Sequence, residues 1–139
     1  MPANPGAVLA LALEGAVTGD VAAIETAFTE DVIGWSPNLS VTSRRELEAE
    51  YAERDDALSN IVFSIDALDV VGNKAIAEWR LAADHTGPLR LSDDVVLEGT
   101  GRRLVLAGAS FAEFRGDQIC AFRYYFDDAA LIEQMLMGI

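Results

Sequence analysis

The run A-E-W-R-L-A-A-D-H brings Glu78, Arg80, Asp84 and His85 within reach of one short strand, and these side chains could support proton transfer. A guanidinium in a low-dielectric pocket offers fixed donors to charge developing on oxygen. Arg80 is therefore a candidate to orient a carbonyl or stabilise an enolate. Its other reading is an ion pair with Asp84, Glu78 or another strand carboxylate, because a buried arginine demands a partner. The base would be Asp84 or Glu78, its pKa raised by burial. His85 is the sole histidine and follows Asp84 directly. Successive strand residues point to opposite faces, so the two are not expected to form a dyad, and His85 reads as a rim or loop residue able to contact a substrate. Cys120, the one cysteine, lies in an apolar stretch and reads as a core thiol. With one histidine and no cysteine cluster, neither a metal nor a cofactor is expected.

The net charge of −13, with only ten Lys and Arg scattered along 139 residues, argues against nucleic acid or an anionic membrane surface as partner. The length suits one domain spanning 1–139. No basic residue precedes the apolar run from Ala7 to Leu13, and Glu14 interrupts it. That pattern is neither a signal peptide nor a membrane span, and a cytoplasmic protein is the expectation.

The elements that must hold these side chains follow from periodicity. Val8, Leu11 and Ala12 recur at helical spacing after Pro5, and Gly19 stops that helix before Asp20 caps a second, striped by Val21, Ile24 and Phe28. Val32 to Trp35 predicts a brief strand ended by Pro37-Asn38. Ser43-Arg44-Arg45-Glu46 is a capping box for a third helix over Arg44 to Arg54. From Asn60 the period becomes two, with Ile61, Phe63, Ile65 and Ala67 on one face and a tight hairpin at Gly72-Asn73. A return strand over Lys74 to Asp84 is expected, then an ambiguous region from Leu89 to Leu97. Two long strands, Arg103 to Arg115 and Gln118 to Phe126, meet at Gly116-Asp117, and Asp127 starts a terminal helix. Helices first and antiparallel strands after them predict an α+β architecture.

F-T-E-D-V after the second helix, W-R before D-H-T-G-P, T-G-R-R before a long strand, and R-G-D-Q-I with R-Y-Y-F-D-D-A-A-L near the end together resemble the nuclear transport factor two-like superfamily. Within it, the phrases are similar to the SnoaL-like polyketide cyclase and ester cyclase branch. The resemblance implies a cone-shaped, strongly curved, mostly antiparallel sheet, with three N-terminal helices covering its concave face and a short C-terminal helix. It also implies a pocket on that face. Similar limonene epoxide hydrolases use an arginine and an aspartate two residues later, which match Arg80 and Ala82 here. The last-strand acid of that mechanism and of SnoaL-type cyclases matches Tyr124. The two carboxylic acids of ketosteroid isomerases match Ser36 and Ser110.

On this resemblance Arg80, Tyr124 and Asp84 are the expected catalytic residues. Tyr124 would act as a general acid or donor to a substrate oxygen, being a poor base at its ordinary pKa of about 10, or else as an aromatic wall. Trp35, Asn38, Ser110, His85 and Phe122 are the expected substrate contacts. Turn formation explains Asn38 equally well, and core packing explains Tyr51. Neither Ser36 nor Ser110 has an evident base beside it, so neither reads as a nucleophile. If Arg80 faces inward, so do Glu78, Ala82 and Asp84; Ser110 brings Gly108 and Ala112, and Tyr124 brings Cys120, Phe122 and Phe126. Trp79, Leu81, Phe111, Ala121 and Tyr125 would then form a convex apolar face, which predicts a homodimer. Three functions stay open: proton transfer on a small apolar or aromatic carbonyl compound, ligand binding without catalysis in a pocket that lacks the family's carboxylates, and a dimeric scaffold.

Overall fold

The computed structural model describes residues 4–37, 39–53, 57–92 and 94–137. Asn4 opens the first helix, α1 (Pro5–Thr18), by accepting the Gly6 N–H at 2.9 Å, and Gly19 closes it at φ 74°. Asp20 caps α2 (Val21–Ala27) through the Ala23 N–H. The two helices meet so tightly that a Cβ at Gly15 would sit 2.8 Å from that of Ala23. In α3 (Arg44–Glu53) the Ser43 hydroxyl accepts the Glu46 N–H, while the Glu46 carboxylate accepts from the backbone and hydroxyl of Thr42. The return arm of the expected capping box thus lands one residue earlier; Arg54, the helix end read from sequence, lies outside the described residues.

The main sheet runs β2-β1-β8-β7-β4-β3 and is open at both edges. Its strands are β1 (Phe28–Ser36), β2 (Leu39–Val41), β3 (Leu58–Val71), β4 (Lys74–His85), β7 (Arg103–Arg115) and β8 (Gln118–Phe126). Every pairing is antiparallel except β1 with β8. Gly72 alone takes positive φ in the Gly72-Asn73 turn, as a type II′ hairpin requires. The ambiguous region forms a separate hairpin, β5 (Leu89–Ser92) and β6 (Val95–Leu97). α1 lies across β3, β4 and β8 and buries Leu9 and Ala12. The terminal helix α4 (Asp128–Met137), capped by Asp127, packs beside β7 through Leu131 and Met135. Gln134 finishes the sheet there: its side-chain amide donates to the Val105 carbonyl and accepts the Val105 N–H, beyond the point where β8 has ended.

Register slips reset which side chains face inward; besides those between Phe28 and Ile33 in β1 and between Ser59 and Val62 in β3, two bear on the site. In β3 the register slips between Ile65 and Ala67, so the concave alternation Ile61, Phe63, Ile65 resumes at Leu68, which meets α1 at Gly6. In β7 and β8 the register slips between Glu113 and Phe114, leaving Cys120 as the extra residue, its Sγ 3.5 Å from the Glu113 carbonyl. Ile119, fully buried, takes the inward position that alternation from Tyr124 assigned to Cys120.

Candidate ligand-binding site

Between the concave face and α1 lies a cavity of about 170 Å³. Its floor comes from alternate residues of four strands: Phe63, then Trp79, Leu81 and Ala83, then Leu104, Leu106 and Ser110, then Phe122 and Tyr124. Leu9, Ala12 and Leu13 of α1 form the roof, and Leu131 closes one end. Phe122, Tyr124 and Phe126, each two residues apart on β8, stack in series at centroid separations of 6.2 and 6.1 Å. Phe28 tilts against Phe122 at 5.3 Å. This aromatic row needs a missing side chain across from it, since a Cβ at Gly34 would lie 2.1 Å from the Phe122 ring.

The inward face of β4 is the reverse of the one expected. Ala75, Ala77, Trp79, Ala83 and His85 are buried, whereas Glu78 and Arg80 are exposed. The expected alternation holds; the face assigned to it does not. Charge explains the choice, because turning this strand over would strip water from Glu78, Arg80 and Asp84 and leave an indole in solvent. Arg80, with a side chain 67% exposed, donates from Nε and Nη2 to Asp66. Asp84 accepts from Asn60 Nδ2 at 2.8 Å and from Arg103 Nη1 at 3.1 Å. Those two donors, Asn60 first, hold its carboxyl below the usual carboxylate range, opposite to the upward shift expected of a buried base.

Of the other expected catalytic residues, Tyr124 lines the cavity directly across the strand register from Ser110. Among the expected substrate contacts, Ser110 and Phe122 line it too. Trp35 does not: Val32, Gly34 and Ser36 take the inward positions of β1, leaving Trp35 48% exposed on the convex side against Tyr125 at 5.4 Å. His85 is fully buried at the end of β4, its Nδ1 accepting the Thr100 N–H and lying 3.0 Å from the Thr100 hydroxyl. It anchors the loop after β6 and is not one of the residues lining the cavity. With Asp84 turned to Arg103, no Asp-His dyad forms. Asn38 lies outside the described residues. Tyr51, read equally as core, is buried and lines the cavity.

Sequence reasoning assigned Trp79 to the wrong face, yet Trp79 supplies the polar feature of the floor. Its Nε1–H donates to Ser110 Oγ at 2.9 Å in a buried hydrogen bond. The usable signal was Gly108, the residue opposite Trp79 in register, where a Cβ would come within 2.3 Å of the indole.

Among the described lining residues there is no Asp, Glu, His, Lys or Arg; the polar groups are those of Trp79, Ser110, Tyr124 and Tyr51. The described residues also contain no cluster of three His, Cys, Asp or Glu placed to hold a metal. No described helix is long and apolar enough to cross a membrane.

Comparison with solved structures places this arrangement. TsrD from Streptomyces laurentii superposes with a TM-score of 0.76 at 16% identity, covering 95% of this chain and 93% of that one. IdmH from Streptomyces antibioticus gives 0.78 at 13% identity, covering 99% and 100%. An LEH-like epoxide hydrolase from M. tuberculosis gives 0.71 at 14% identity, covering 96% and 90%. At these identities the likeness is one of fold, the nuclear transport factor two-like α+β cone. No single curated protein sequence matches the chain significantly. Residues 10–122, well over half of the chain, match the SnoaL-like domain, and the protein belongs to the SnoaL-like domain family.

Proposed function

We propose that this protein binds a small, uncharged, largely apolar molecule in the cavity between α1 and the concave sheet, and that it does so without acid–base catalysis. The observation carrying this reading is the absence of any carboxylate, imidazole or cationic side chain among the described lining residues. Proton abstraction needs a base within hydrogen-bond reach of the substrate. The nearest sequence candidates, Asp84 and Glu78, lie outside, and the tyrosines of the cavity are poor bases at neutral pH. A cavity of about 150 Å³ with apolar walls accepts benzene, which sets the scale of ligand for a site of this size. Carbonyl compounds with one ring fit both the volume and the aromatic wall along β8.

The test is calorimetric titration with benzyl alcohol and benzoate, which share a ring but differ in charge. The neutral ligand should bind saturably, and the carboxylate at least about 100-fold more weakly, because none of the described lining residues pairs a buried anion. Equal binding of both would defeat the reading.

A second reading concerns the opposite face. Ile33, Trp35, Val105 and Tyr125 are exposed on the convex side, with Phe111 edge-on to Tyr125 and Arg123 lying 5.1 Å above the Phe111 ring. Trp79 and Leu81, which the sequence assigned to this surface, are inside. Trp35 and Ile33 take their place, and this exposed apolar face is what supports the reading of a homodimer.

A further inference from the structure

We infer that Trp79 is a positioning residue that holds Ser110 as a hydrogen-bond donor toward the cavity, so that the ligand carries an acceptor oxygen, as a ketone, ester or ether does. The inference rests on the cavity being the ligand site. An indole N–H can only donate, so the 2.9 Å contact with Trp79 obliges Ser110 Oγ to accept. The serine's own proton is then the group that needs a partner. Ser110 is 4% exposed, and among the described residues nothing accepts from its hydroxyl. A buried donor left in this state is satisfied when a ligand oxygen arrives.

The indole is not free to turn away. Trp79 pairs with Gly108 in the β4–β7 register, and its six-membered ring fills the space where a side chain at 108 would begin. Two strand positions further along β7, Ser110 faces Tyr124 across the β7–β8 register. The donor is therefore set against the stacked Phe122–Tyr124–Phe126 row, where a ring would lie. With no cation among the described lining residues a carboxylate or phosphate is excluded, and with no carboxylate among them an ammonium would lack a counter-ion. What remains is a neutral ring-sized molecule with an acceptor.

Calorimetric titration of cyclohexanone, its isostere methylenecyclohexane, and cyclohexanol against the wild type, Ser110→Ala and Trp79→Phe tests this. Ser110→Ala should weaken cyclohexanone about fivefold while leaving methylenecyclohexane within about twofold. Trp79→Phe removes the donor but keeps a ring, freeing Ser110 to accept. The ratio of cyclohexanol to cyclohexanone affinity should then rise about threefold, whereas a purely structural role would weaken all three ligands alike. If Ser110→Ala fails to fold cooperatively, the Trp79→Phe ratio decides alone. Should the hydrocarbon bind while Ser110→Ala affects it and the ketone equally, or affects neither, the donor role is wrong and the cavity reading survives. Binding of none of the three overturns the cavity reading and this inference with it.

Discussion

Arg80 and Asp66 hold one another on the convex side of the sheet, with Arg80 Nε 2.7 Å from Oδ2 and Nη2 3.2 Å from Oδ1. Asp66 is the residue left over where β3 slips register between Ile65 and Ala67, and the slip brings it diagonally across to Arg80. The guanidinium is thus spent on a surface pair one sheet thickness away from the cavity. Arg80→Ala should leave the affinity for a neutral ligand within about twofold and lower stability only slightly, as for other exposed pairs. Titration calorimetry and urea unfolding check both. A large loss of affinity would restore Arg80 to the site.

Acidification should weaken the fold through three convex or edge carboxylates. Arg115 at Asp31, Arg80 at Asp66, and Asn60 followed by Arg103 at Asp84 each lower the carboxyl pKa from 3.8. A group whose folded pKa is depressed contributes fully above its unfolded value and loses that contribution as pH falls through the folded one. Asp66→Asn should therefore reduce the urea midpoint at pH 7, with the difference from wild type shrinking as pH falls below 3.8. A difference that persists unchanged in acid would show that the pairing is not its cause. Added salt should shrink the effect at pH 7, since these groups are in solvent.

Gly108 is required by Trp79. A Cβ there would meet the indole at 2.3 Å and the Tyr125 carbonyl at 2.7 Å, so neither rotating the ring nor a small backbone shift alone relieves it. Gly108→Ala should cost about 1–3 kcal/mol, the usual range for overpacking, and should move the tryptophan fluorescence by displacing the buried indole. Unchanged stability and emission would mean that the ring has another place to sit.

The convex face should mediate self-association. Trp35 is 48% exposed and Tyr125 44%, their rings 5.4 Å apart, and Ile33, two residues before Trp35 on β1, is exposed as well. Analytical ultracentrifugation should give twice the chain mass at micromolar concentration, and Trp35→Glu should return the monomer with its ligand affinity intact. A wild type that stays monomeric at high concentration removes the dimer.

The periodicity of the sequence located most elements, because capping residues and turn glycines act locally: Asp20, Gly19 and Gly116 each sit at an element boundary. β2 was missed. It has three residues, and its pairing with β1 rather than its own pattern makes it a strand. The site was less legible. Alternation grouped Arg80 with Glu78 and Asp84 and grouped Ser110 with Gly108 correctly, but alternation alone does not say which group faces in. For β4 the resemblance to enzymes with an inward arginine selected one face, and the cost of desolvating three charges selected the other. Bulges are a further limit, since the extra residues at Asp66 and Cys120 invert parity part-way along a strand without any composition signal.

The central claim is an uncharged cavity that binds without proton transfer, and cyclohexanone in deuterated buffer reports on both halves of it. NMR should show the ring protons in contact with Phe122 and Tyr124, with α-deuterium incorporation no faster than in buffer alone. Exchange accelerated by the protein, and abolished when the cavity is saturated with methylenecyclohexane, would place a working base in the site and contradict the account.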